Sequence, residues 1–197
     1  MVFSIFFALI LGGIYNHIGY SQSSIQNRIG ALFFIVINQA FGNVTAVLGS
    51  FPSEKIIVNR ERNGRAYNTI SYFCAKVIVE LPLNLMPTIV FGLIVYYLIE
   101  FKDGIAFLYF LLIIMMVNFV ACSLGLAISA FAPTTDAANA LGPPLVIVGI
   151  IFGGFYISID SLPIVANWIP YLSMFKWSFE ALMVCHYYCS LTTFYSK

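Results

Sequence analysis

Glu54, Lys55, Arg60, Glu61, Arg62 and Arg65 fall within twelve positions, and the long runs on either side carry almost no charge. Holding a Lys, Arg or Asp mid-bilayer costs roughly 2.5–3.5 kcal/mol, so burying this cluster in hydrocarbon would cost on the order of 15–20 kcal/mol. The cluster must stand in water between two membrane spans. Four of the six residues are basic, which by the positive-inside bias sets the connector on the cytoplasmic side and orients every other segment. The bilayer itself is implied by composition. Of 197 residues, 61% are apolar, 17% aromatic and only 9% charged, far from a soluble chain. The net charge of +1 and the gathering of basic residues at one loop exclude a nucleic-acid binder.

Inside the connector, Pro52 suits a helix start, Ser53 a first-turn cap and Gly64 a C-terminal stop, which predicts a separate helix of about ten residues. Ile56, Ile57 and Val58 would give it apolar contacts, with Arg60, Glu61 and Arg62 outside. Two roles fit: a solvated loop between spans, or a docking element that carries force from a cytoplasmic partner.

The apolar runs predict an all-helical polytopic bundle of about five spans, as one partial membrane domain over residues 1–197, with a cytoplasmic connector at 52–70 and an exofacial loop over 158–197. The spans are expected at 2 to about 18, 29–50, 72 to about 99, 105 to about 131, and 136 to about 156. No basic residue precedes Arg28, so the first run reads as a span whose N-terminal flank is missing rather than as a signal peptide.

The second span is unusual, since Phe34, Asn38, Phe41 and Thr45 share one helical face. Such a stripe serves hydrogen bonding between helices or contact with an amphipathic guest. In the third span Lys76 and Glu80 stand one turn apart and are expected to neutralise each other. Pro82 and Pro87 should bend it around Asn84, at a place suited to a moving part. Ala121, Gly125 and Ser129 form a small-residue ridge on the fourth span, read as a close packing face. Thr134 or Thr135 is placed to cap the fifth, whose Pro143-Pro144 and Gly149-x-x-x-Gly153-Gly154 predict a kinked, closely packed helix.

Beyond residue 158, Pro163, Pro170, Lys176 and Glu180 interrupt an aromatic-rich stretch, which reads as interfacial or re-entrant. Cys185 and Cys189 there are open to a disulfide within or between chains, or to two thiols on one helix face. Cys74 and Cys122 read as small packing residues. Cys185-His186 with Cys189 is too poor a ligand set for a metal.

No phosphate-cradling G-x-x-x-x-G-K-[ST] loop occurs, nor H-E-x-x-H or G-x-S-x-G, so the chain is not expected to be an enzyme or to hold a cofactor itself. Few titratable groups fall within the spans, which removes support for proton-coupled transport and intramembrane proteolysis. A docking helix without an energy source points to an external motor.

The run Ile25-Gln26-Asn27-Arg28-x-Gly30-x-Leu32-Phe33-Phe34, then Asn38-Gln39-x-Phe41, Phe51-Pro52-x-Glu54, Arg60-Glu61, Gly64, Tyr72-Phe73-x-x-Lys76 and Glu80-x-Pro82, resembles the transmembrane domain of G-family ATP-binding cassette transporters, the White and multidrug half-transporter type. Ala132-Pro133-x-x-x-Ala137-Ala138, Gly142-Pro143, Phe152-Gly153-Gly154-Phe155-Tyr156 and Trp168-Ile169-Pro170 extend the likeness over nearly the whole chain. The resemblance implies six spans, an N-terminal nucleotide-binding domain that binds ATP and Mg, and dimerisation with a second half-transporter, as homo- or heterodimer, around one path for a small-molecule substrate. The nucleotide-binding domain and the last span are absent from this sequence. By the same resemblance, Lys55, Arg60, Glu61 and Arg62 would couple to the ATPase. Asn38 and Phe41, with Phe34 and Thr45 on their face, would contact substrate opposite Ile147 and Ile150. Where multidrug members carry a bulky aliphatic pair above the cavity, this chain has Phe155 and Tyr156. Two functions follow: the membrane half of an exporter of amphipathic, lipid-like or pigment-like compounds, or a truncated, non-transporting protein that pairs with a full-length half-transporter.

Overall fold

Hydrocarbon offers the backbone no hydrogen-bond partners, so a chain this apolar satisfies its amides within helices. The computed structural model describes residues 2–15, 22–64, 67–99, 104–155 and 168–195. They form α1 (Val2–Ile14), α2 (Gln22–Asn63), α3 (Thr69–Leu98), α4 (Gly104–Phe131), α5 (Thr135–Ile151), the single turn α6 (Ile169–Leu172) and α7 (Met174–Tyr195), with no strand among the described residues. Three of these helices are long and apolar enough to cross a bilayer, within 26–61, 70–98 and 106–131, while α1 and α5 are shorter apolar helices.

The main departure from expectation concerns α2. A separate connector helix does not form: α2 is one helix of 42 residues with Pro52 inside it. A proline costs a helix one backbone bond, and in or beside a membrane neighbouring groups make up the loss. Pro52 is buried against the bundle. Ser53, expected as a cap, instead donates its hydroxyl to the Ser50 carbonyl at 2.7 Å, one turn back in the same helix. Helix α2 ends where Gly64 predicted, its amide closing the last turn on the Arg60 carbonyl at 3.2 Å.

Ala31, Leu32, Ile35, Val36, Ala40, Val44, Val47 and Leu48 are buried on α2 and supply the spine of the core. Helices α4 and α5 lie along that face, α7 reaches both α4 and α2, and α1 packs on α3. The small-residue ridge of α4 works as expected. Ala121 and Ser129 are fully buried, and a Cβ added at Gly125 would stand 3.0 Å from Val47 Cβ and 3.2 Å from the Val44 carbonyl. Gly142 admits the Leu48 side chain in the same way, which lets α5 close on α2.

Two helix ends differ from the predicted spans. Helix α1 stops at Ile14 rather than near residue 18. Helix α5 stops at Ile151 rather than near 156, because the amides of Phe152 and Gly153 turn back onto Val148 and Ile150 and Gly154 takes a left-handed φ of 82°. Its start is as predicted, the Thr134 hydroxyl accepting from the Ala137 amide at 3.2 Å. Of the cysteines read as packing residues, Cys122 is buried but Cys74 is exposed.

Replacing Gly125 by Leu should force α4 off the α2 backbone at a cost of about 1–3 kcal/mol. The expected outcome is a lowered unfolding temperature in detergent, with Gly49→Ala as control, since nothing lies within 4 Å of a Cβ there.

Candidate functional site

The charged end of α2 is lashed to two other helices. Lys76 of α3 is only 8% exposed, and an ammonium so placed needs anionic partners. It finds Glu80 one turn along its own helix at 2.7 Å and, across the helix pair, Glu54 of α2. Tyr72 donates its hydroxyl to the same Glu54 carboxylate at 3.2 Å, and the Phe51 ring lies 5.1 Å below the ammonium. The predicted Lys76–Glu80 pair therefore exists, but as half of a trio that joins α3 to α2.

Lys55, assigned to coupling, turns its ammonium onto the carbonyls of Ala130 at 2.6 Å and Ala132 at 3.3 Å. Those are orphan acceptors at the end of α4, where a cation also meets the negative pole of the helix dipole. Glu61 accepts from the Tyr67 hydroxyl at 2.5 Å, and the Tyr67 and Tyr72 rings stack at 5.9 Å. Ionising Tyr67 would forfeit that bond and set like charges together, which pushes its pKa up to about 12. Arg60 is exposed, and the Arg62 side chain and Arg65 lie outside the described residues.

Further along α2, Phe34 and Phe41 are exposed, at 48% and 36%, with Asn38 and Thr45 half-buried on the same face. The polar groups of this region do not bond other helices. Thr45 donates to the Phe41 and Gly42 carbonyls at 2.8 and 3.0 Å, and Asn43 donates to the Gln39 carbonyl at 2.8 Å. Gln39 turns inward, and its Nε2 has no partner among the described residues. On α5, Ile147 is exposed whereas Ile150 is half-buried against the core. Phe155 stacks on Phe33 at 4.4 Å and meets Phe179 edge-on at 6.0 Å, so it sits beside the outer end of the α2 stripe. Tyr156 lies outside the described residues.

Hydrogen bonding between spans occurs where the sequence reading did not look. Asn118 of α4 donates to the Asn84 carbonyl at 2.9 Å and to the Thr88 hydroxyl, clamping α3 between Pro82 and Pro87. Cys122 completes the cluster, donating to Asn118 Oδ1 at 3.3 Å. Asn118, an amide in the middle of an aliphatic run, was the available signal.

Cys185 lies near the Ala106 carbonyl, while the side chains of His186 and Cys189 lie outside the described residues. Among the described residues no group of three or more His, Cys, Asp or Glu could hold a metal ion.

The family model described as ABC-2 type transporter matches residues 1–187. The chain belongs to that family. Its sequence is 37% identical to ABC transporter G family member 7 of Arabidopsis thaliana over 178 residues, which is 90% of this chain and 25% of that protein. It is 35% identical to Protein white of Drosophila melanogaster, over 90% of this chain and 26% of that protein. Against the Broad substrate specificity ATP-binding cassette transporter ABCG2 of Bos taurus it is 31% identical over 184 residues, or 92% and 28%. The chain thus spans about a quarter of the relatives it matches. It is a multi-pass ABC-2 membrane domain of the G-family kind, and this domain is not itself catalytic.

Within this ABC-2 domain, Glu54→Gln should leave the buried Lys76 with one carboxylate. Because Glu54 is 43% exposed, the expected loss is about 1 kcal/mol, read as a lower unfolding temperature that Tyr72→Phe alone does not reproduce. Tyr67 has its folded-state pKa raised above the unfolded value, so its contribution is full below pH ~10 and is lost as pH rises through about 12. A phenolate titration of wild type minus Tyr67→Phe should show ionisation near 12, shifted back toward ~10 by Glu61→Gln.

Proposed function

We propose that this chain is the membrane half of an ATP-driven exporter of amphipathic, lipid-like or pigment-like compounds. It works with a nucleotide-binding domain that holds ATP and Mg, and with a second half-transporter that completes the path. The observation that carries this reading is the continuity of α2. One unbroken helix bears the exposed mixed stripe of Phe34, Asn38, Phe41 and Thr45 at one stage and the charged end with Arg60 and Glu61 at another.

A stripe of two aromatics and two polar residues is poorly suited to lipid and well suited to a guest that is itself amphipathic. Ile147 of α5, exposed on a neighbouring helix, would face the guest with it. A push on the charged end reaches that stripe without crossing a hinge. The name of the bovine relative, a transporter of broad substrate specificity, accords with contacts made by rings and amides rather than by a charge pair. Phe155, stacked on Phe33, would close the outer end.

Two alterations test the lever in the transporter assembled with its ATPase. Three glycines inserted after Ser53 should lower transport at least tenfold while ATP hydrolysis persists, because the push is absorbed in the break. Glu61→Lys should uncouple hydrolysis from transport in the same sense. Full transport by either variant rejects the role assigned to this end of α2.

A further inference from the structure

At the end of the bundle away from the charged connector, α4 and α7 leave an open groove of about 530 Å³ lined by Tyr109, Ile113, Trp177, Glu180, Ala181 and Val184. Its walls are apolar except for one carboxylate. Tyr109 lies about 7.5 Å along α4 from its first residue, at 1.5 Å per residue, so the groove opens close to where that span enters the bilayer.

Glu180 has no ion pair among the described residues, although Lys176 stands four positions before it on the same helix, where a partner would be expected. Lys176 is buried and turns its ammonium instead over the Tyr171 ring at 4.1 Å and the Trp177 ring at 5.1 Å. Trp177 is held in plane by its indole N–H, which donates to the Tyr171 carbonyl at 3.0 Å. A lone carboxylate in an apolar groove beside a membrane boundary is costly unless something cationic meets it.

We propose that this groove binds a bilayer phospholipid with a quaternary ammonium headgroup, the phosphatidylcholine class. The ammonium methyls would lie against the Tyr109 and Trp177 rings with the charge on Glu180, the combination of ring faces and carboxylate that suits a weakly hydrated cation. The acyl chains would follow Ile113, Ala181 and Val184 toward the bilayer interior. Two features favour this occupant over a second copy of the chain: the charge is negative and single, and the groove opens where choline headgroups lie.

The test is native mass spectrometry of the full chain released from vesicles of equal phosphatidylcholine and phosphatidylglycerol. Wild type should retain the choline lipid about tenfold over the anionic one, and Glu180→Gln, isosteric at an exposed position, should bring the ratio to about one. Glu180→Asp should keep part of the preference. Equal retention by wild type overturns the proposal, as does a preference that survives Glu180→Gln. So does a wild type without preference in which Lys176→Met creates one, since Lys176 would then be the true counter-ion. Loss of dimer in Glu180→Gln at an unchanged lipid ratio would assign the groove to a second copy and also overturn it. None of these outcomes depends on ATP coupling, so the lever and the lipid site stand or fall separately.

Discussion

A helix of 42 residues is about 63 Å long and cannot be hidden in a hydrocarbon layer about 30 Å thick. Much of α2 must therefore stand in water, and its sequence agrees about which end: the apolar core face occupies residues 31–48 and the charges begin at Glu54. Because the helix does not break at Pro52, the aqueous and membrane portions share one rigid axis. That continuity is what gives a cytoplasmic contact mechanical access to residues deep in the bilayer, and the rest of the bundle is arranged to brace it.

The bracing is polar at both levels. Lys76 joins α3 to α2 through Glu54, and Lys55 joins α2 to the end of α4. Asn118 joins α4 back to α3. Apolar contact alone is weakly specific among helices already surrounded by lipid, so these bonds and the close backbone approaches at Gly125 and Gly142 carry much of the register. Glu54 makes one end of α2 legible as a joint rather than a loop tip.

What the sequence disclosed followed from local physics. The charge cluster, the Gly64 stop, the Thr134 cap and the spacing of Ala121, Gly125 and Ser129 each depend on neighbours within a turn or two, and each is found where the spacing put it. Pro52 misled because proline suits both a helix start and a helix interior braced by neighbours, and only the burial of the site separates them. Glu54 was visible as a charge, but its partner lies 22 positions away, beyond any helical periodicity. The stripe of α2 was legible as a face, yet not as one whose amides and hydroxyls would serve their own helix. Lys176 and Glu180 have the spacing of a pair and do not form one, because the Tyr171 and Trp177 rings offer the ammonium a competing seat.

The closed circuit of α2, α3 and α4 also bears on how such a domain moves. A span bent by Pro82 and Pro87 looks like an independent moving part, but the carbonyl of Asn84 between those prolines is held by Asn118, and the Thr88 hydroxyl is shared between the two helices. Breaking that clamp in a medium without water would strand several polar groups at once. The lower-cost motion keeps all three joints and carries α2, α3 and α4 together. Helix α5, tied to the others largely by close apolar contact at Leu48 and Phe175, can slide against them, since sliding packed side chains exposes no unpaired donor. The division between a polar-bonded trio and an apolar-packed fourth helix therefore fixes where the bundle gives: along the α2–α5 seam, beside Phe34, Asn38 and Phe41.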